Sequence, residues 1–318
     1  MKRKIAGFLV RLAISAAFIG GISYLMRDKL GAAVQTLRHG VSWNWVCFGV
    51  LIYFFTQLCM ASRFYLLLKI QKIKARFSDA FHLHITGLFF GLFLPSALGG
   101  DIAKGYYVAQ SSGSKLKATT CIVQDRLIGL IAMVAMAGAA LLFSSGSIAG
   151  PDAWRLLGGA IAAVSLLIFF FAHKPFAQKF KWFLHLVPAK KIHDTLAELY
   201  HAIHDFRNHK GALAACLTIS WLGQALFVLV NYMISKSLGV SSSLGYYFLA
   251  VPVSCFFAMI PSLGGVGVRE AGLLFFLNRI MAAEKALALS LLVSAVIYGF
   301  SLAGGIFFAI YGGPKKNN

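Results

Sequence analysis

Acidic residues are scarce in this chain: 10 Asp and Glu stand against 30 Lys and Arg, for a formal net charge of +20. Charge of either sign makes up only 13% of 318 residues, far less than a soluble domain of this size needs for its surface. The five cysteines (Cys47, Cys59, Cys121, Cys216 and Cys255) include no C-x-x-C pair and lie in or beside apolar stretches. They read as packed free thiols, without a disulfide or metal framework. No G-x-S-x-G, Walker loop or dinucleotide fingerprint occurs. His82, His84, His193, His201 and His204 form no complete metal-ligand set, and His201-x-x-His204 reads as a solvated helix face. No cofactor and no metal are expected.

What the chain has instead is apolar length. It is 59% hydrophobic with a mean hydropathy of +0.76. Several stretches reach the roughly 20 residues that carry a helix across a bilayer. Six full spans are expected at 5–26, 41–68, 119–143, 154–173, 211–235 and 286–312. Arg11 interrupts the first stretch and no small-x-small site closes it, so it reads as an uncleaved span rather than a signal peptide. Arg11 and Arg63 read as residues that snorkel to the interface. The fold class is an all-α polytopic membrane protein in one domain, 1–318, with halves 5–173 and 211–318 joined by a linker at 174–210.

Loop charge sets the orientation. The loop near 69–79 carries Lys69, Lys72, Lys74 and Arg76, the 174–210 linker is rich in Lys, and the tail carries Lys315 and Lys316. These regions and both termini are expected in the cytoplasm. The loop at 27–40, with Arg27, Lys29 and Arg38, is the one misfit on the outer side. This distribution explains the basic balance without nucleic acid, which is not expected as a partner. Within the linker, Ile192, Leu196, Leu199, Ile203 and Phe206 share one helical face. They predict an amphipathic helix, either on the membrane surface or docking the two halves together.

Two segments remain, near 80–110 and 244–281, and each contains a near copy of the other. Pro95-Ser96-Ala97-Leu98-Gly99-Gly100-Asp101 and Pro261-Ser262-Leu263-Gly264-Gly265 both interrupt apolar runs and are followed by charge. Irregular backbone at membrane depth is tolerated only where protein buries it or it lines a wet cavity. Charge there marks a functional candidate. The arms His82–Leu94 and Ile102–Gln110 are too short to span, while the second hairpin reads as longer-armed and able to cross twice. With the loop orientation above, the two hairpins enter from opposite sides, giving about eight membrane segments in an inverted-repeat plan. The backbone candidates are Pro95, Gly99, Gly100, Pro261, Gly264, Gly265 and Gly267.

The charged candidates lie beside them. Asp101 opens a helical segment, where it caps the helix or serves transport, and Lys104 lies one turn on, placed to pair with it. Arg269 offers planar bidentate donors for a phosphate, with Glu270 as its counter-charge, or the two form a permanent ion pair. Arg126, after Asp125, lies deep enough to face a cavity and near enough to the cytoplasm to snorkel. The expected substrate-binding set is thus Asp101, Lys104, Arg126, Arg269 and Glu270.

Three stretches carry a resemblance: Leu94–Asp101, then Asp125-Arg126-Leu127, then Ile260–Glu270. There the chain resembles the membrane region of the lysylphosphatidylglycerol synthase/flippase proteins, with Asp125 where that pattern often has Glu. The resemblance covers nearly the whole chain. It implies an inner-membrane lipid flippase moving a lipid with an anionic or aminoacylated head group between leaflets. The chain stops at Asn318, soon after the last span, so the resemblance is to a stand-alone form without the soluble aminoacyltransferase domain. Enzymatic activity is therefore not the first expectation. The alternatives are a membrane-embedded lipid transferase, or the membrane subunit of a lipid-modifying complex with a lipid-synthesis enzyme as partner. The lipid partner is a phospholipid or a polyprenyl lipid. With no nucleotide site visible, an ion gradient or simple equilibration is expected to drive movement.

Overall fold

A computed structural model describes residues 27–93, 99–143, 209–258 and 267–311, with isolated helical positions between 155 and 165. The expected span 5–26, most of 154–173, the linker helix, and the hairpin tips with Pro95, Pro261, Gly264 and Gly265 lie outside the described residues.

The described residues form nine helices and no strand: α1 (Arg27–His39), α2 (Trp43–Ile70), α3 (Phe77–Phe93), α4 (Gly99–Ser112), α5 (Lys115–Phe143), α6 (Lys210–Ser237), α7 (Leu244–Phe257), α8 (Val268–Leu277) and α9 (Ala283–Tyr311). Four of these, α2, α5, α6 and α9, are long and apolar enough to cross a membrane. At 1.5 Å per residue each is about 42 Å long, against a hydrocarbon core of about 30 Å. Their outward faces carry Phe48, Phe55, Leu222, Ile306 and Ile310, all exposed. Helices apolar on both the packed and the open face suit lipid rather than water. The chain is a multi-pass membrane protein.

Helix limits follow local chemistry. The Oγ of Ser114 accepts a hydrogen bond from the Lys117 backbone N–H at 3.3 Å, so α5 starts four residues before the expected 119. The stretch 27–40, expected as a loop, contains helix α1. Ala33 and Leu37 lie one turn apart there, and Ala33 is fully buried. Both join the apolar cluster that includes Ala286 to Leu289 of α9, which holds this largely polar helix in place.

The short helices α3, α4, α7 and α8 have 17, 14, 14 and 10 residues. None reaches about 30 Å at helical rise. Among the described residues the second hairpin does not have the longer arms: α8 ends at Leu277, where the exposed Asn278 and Arg279 follow.

The two halves pack alike. Each runs long helix, two short helices, long helix. α2 packs on α3 as α6 packs on α7; α3 meets α4 as α7 meets α8; α4 meets α5 as α8 meets α9. Across the halves, α9 packs on α3 and α5 packs on α7. At the centre α2 and α6 lie side by side in opposite directions: Gly49 faces Ile234, Met60 faces Gly223, and Arg63 faces Ser220. Glycine makes this closeness possible. A Cβ on Gly49 would sit 3.3 Å from Ile234, and one on Gly223 would overlap the Met60 methyl.

Candidate functional site

The first hairpin sets the course of one lysine. Its arms touch so closely that a Cβ on Gly100 would overlap the Gly87 carbonyl. A Cβ on Gly87 would in turn lie 2.7 Å from Cε of Lys104, whose stem runs across that bare backbone. Lys104 is thereby carried inward, until Nζ lies 5.1 Å from the centre of the Phe64 ring and 3.9 Å from Oδ2 of Asp125. The other oxygen of Asp125 accepts a hydrogen bond from Nε of Arg63 at 2.8 Å. Nη1 of Arg63 donates to the Ser220 hydroxyl at 2.9 Å, and that hydroxyl donates to the Cys216 carbonyl at 2.8 Å. Gly129 leaves room for the guanidinium, since a Cβ there would lie 3.3 Å from Nη1. Four helices, α2, α4, α5 and α6, thus meet at three charges, each residue 7–8% exposed. On α3, His84 shares a 2.9 Å hydrogen bond with Gln57 through Nε2, and its Nδ1 has no partner among the described residues.

Beside this cluster, Arg126 forms an ion pair with Asp101. The Arg126 side chain is 31% exposed, so the pair reaches the protein surface. The expected pairing of Asp101 with Lys104 on one turn is not what forms: each faces a residue of α5 instead, Arg126 for Asp101 and Asp125 for Lys104. The snorkelling expectation for Arg63 is also overturned. Seven residues of α2 follow it, about 10 Å of helix, and a carboxylate stands within hydrogen-bond reach.

The second hairpin builds a smaller cluster. Gly267 has φ +85°, a left-handed conformation that glycine adopts freely, and it turns the chain into α8. Its N–H donates to Oε2 of Glu270 at 2.6 Å. Oε1 of Glu270 accepts from Nη2 of Arg269 at 2.6 Å and from the Ser294 hydroxyl at 2.6 Å. The same Nη2 donates to Ser294 at 2.9 Å, closing a triangle between α8 and α9. The guanidinium carbon lies 5.8 Å from the centre of the Tyr298 ring. Arg269 also borders a cavity of ≈ 10 Å³, room for about one water, lined by Asn231, Ser254 and Ser290 among apolar neighbours. The hydroxyls of Ser290 and Tyr298 have no hydrogen-bond partner among the described residues.

The sequence profile of the lysylphosphatidylglycerol synthase TM region matches residues 8–305. The chain belongs to that family. A search of curated proteins finds no match. Both charge clusters lie inside the lysylphosphatidylglycerol synthase TM region, as do all five expected binding residues.

Within that region the five residues do not converge on one spot. Asp101, Lys104 and Arg126 gather at the first hairpin, Arg269 and Glu270 at the second. Helix α6 touches both sites, through Ser220 at the first and Asn231 at the second cavity. Eleven residues separate these two, about three turns or 16 Å. Arg63, Asp125, Ser220 and Ser294 belong to the sites and were not among the expected binding residues. Arg63 and Asp125 had a usable signal: charges of opposite sign, each inside a long apolar span. The serines had none, because a serine inside a membrane helix commonly bonds its own backbone, as Ser220 also does.

Proposed function

We propose that this chain is a lipid transporter of the inner membrane, a flippase that moves a lipid with an anionic or aminoacylated head group between leaflets. The observation that carries this reading is the pair of ion clusters, each built where a short-helix hairpin meets the long helices, at two depths along α6. A polar head group cannot enter hydrocarbon without replacement for its lost water. Charged side chains held within the helix bundle supply that replacement, while the tails remain in lipid. Membership of a lipid-handling family supports the same reading.

In this reading the hairpins are re-entrant and enter from opposite faces, making the halves inverted repeats with both termini in the cytoplasm. The reversed directions of α2 and α6 and the repeated packing of the halves support that arrangement. The test is leaflet exchange in proteoliposomes, following labelled phospholipids, aminoacylated phospholipids and polyprenyl phosphates with an impermeant quencher. Wild type is expected to exchange lipid. Arg269→Ala, Asp101→Asn and Glu270→Gln are expected to lose exchange while keeping their folded-state signature. Normal exchange by well-folded Arg269→Ala would reject the site, and absence of exchange across the whole panel would reject transport.

A further inference from the structure

The ion pairs of the first cluster leave His84 out, although it is buried beside them at 6% exposure. Its Nε2 lies 2.9 Å from the side-chain carbonyl oxygen of Gln57 on α2. A carbonyl oxygen only accepts, so the ring hydrogen sits on Nε2. In the neutral ring Nδ1 is then a bare lone pair, buried and with no hydrogen-bond partner among the described residues. On a histidine, the atom that lacks a partner is also the atom that takes a proton. A proton needs no cavity, so the close packing of α3 is no obstacle to it.

Arg63 of α2, Lys104 of α4 and Asp125 of α5 are the charged groups that face the ring. On the α9 side the contacts are apolar: Gly304 lies against Ile85, Gly305 against Phe89, and Phe307 against the ring of His82. On α3 itself, Asp79 is engaged at the exposed start of the helix, where it accepts from the Arg76 backbone N–H. Amides mark a way in. Gln71, half-buried just past the end of α2, donates to Gln124 of α5 at 3.4 Å, and Gln124 precedes Asp125 in the chain. Nε2 of Gln124 is also buried without a partner among the described residues. This line of polar groups leads from the basic loop near 69–79 towards the cluster.

Two cations beside a buried ring oppose a further charge on it while the helices stay packed. When Nδ1 takes a proton from hydronium, water is left and the ring becomes a cation with an N–H at both nitrogens. The imidazolium then competes with Arg63 and Lys104 for Asp125, the carboxylate that α2 and α4 share on α5. Protonation therefore weakens the tie between these helices, and parting them raises the ring's affinity for a proton by the same factor.

We infer that His84 is a proton-binding site, with Nδ1 as the accepting atom, and that proton uptake there releases the first cluster. The site stands apart from the lipid-transport reading. Its use, coupling a proton gradient to lipid movement, rests on that reading and deepens it by naming the coupling ion.

The test has two arms, both on the full-length protein. In the first, spectra of the protein labelled with 15N-histidine are followed in neutral detergent from about pH 8 to about pH 5. His84→Gln or His84→Asn, whichever folds, assigns the ring. The His84 ring is expected to gain its second N–H in the folded protein, with a midpoint between about pH 5 and about pH 6.5. Gln57→Glu sets a carboxylate at Nε2 and is expected to raise that midpoint by about one unit or more. A ring that stays neutral down to about pH 5, or a midpoint unmoved in folded Gln57→Glu, would overturn the site. The wild-type titration decides even if Gln57→Glu does not fold. In the second arm, leaflet exchange in proteoliposomes is followed as the pH of one side is stepped by about two units. Wild type is expected to change its rate about tenfold, as one group passes from about one-tenth to about nine-tenths protonated, and the His84 variant to lose that response. Exchange indifferent to pH, or an equal response in the variant, would overturn the coupling. A titrating ring without any exchange would keep the proton site and sink transport. Exchange with a ring that never titrates would keep transport and sink the proton site.

Discussion

The two charge clusters differ in how they are assembled. At the second hairpin, Arg269 and Glu270 are chain neighbours on α8, balanced one to one, and Ser294 completes their hydrogen bonds. At the first, Asp125 of α5 faces Arg63 of α2 and Lys104 of α4, and the balance is one carboxylate to two cations. A local pair carries its compensation with it wherever α8 goes. A dispersed cluster is compensated only while its helices stay together. The first cluster therefore ties charge to packing much more strongly than the second.

Removing the shared carboxylate breaks the comparison most severely. Asp125→Ala leaves two buried cations facing each other, and thermal unfolding in detergent is expected to show a loss of about 3–5 kcal/mol. Glu270→Gln at the balanced pair is expected to cost less, about 1–3 kcal/mol, because Arg269 keeps its bond to Ser294. The reverse order in the same measurement would show that the second cluster, not the first, ties the helices together. A sharper probe is Gly267→Ala, which places a side chain at φ +85° and is expected to cost about 1–2 kcal/mol in the same unfolding measurement. The smallest effect is expected from Ser290→Ala. Its hydroxyl has no partner among the described residues, so stability should stay within about 0.5 kcal/mol, and a larger loss would reveal an ordered water in the cavity beside Arg269.

The same contrast explains what could be read without coordinates. Arg269 and Glu270 follow a glycine-rich break, and their adjacency made a permanent ion pair one of the two alternatives read there, beside a phosphate site. The long helices were equally plain, since α2, α5, α6 and α9 are apolar over more than the width of a bilayer. Arg63 and Asp125 lie 62 positions apart, and nothing in the spacing says that α2 and α5 bring them to 2.8 Å. Lys104 was placed on the correct turn but given the wrong partner. Helical spacing puts Asp101 on the same face, and only the packing of α5 decides between that neighbour and Asp125. Helix α1 was missed for a different reason. Its sequence is polar, and its order comes from Ala33 and Leu37 settling against the cluster around α9.

Helix α6 presents Ser220 to one cluster and Asn231 to the other after about three whole turns, so both side chains leave the helix in nearly the same direction. Mechanically this makes α6 a shaft with two cams at one angle. A small axial twist of α6 would swing both side chains the same way without any rearrangement of the helix between them.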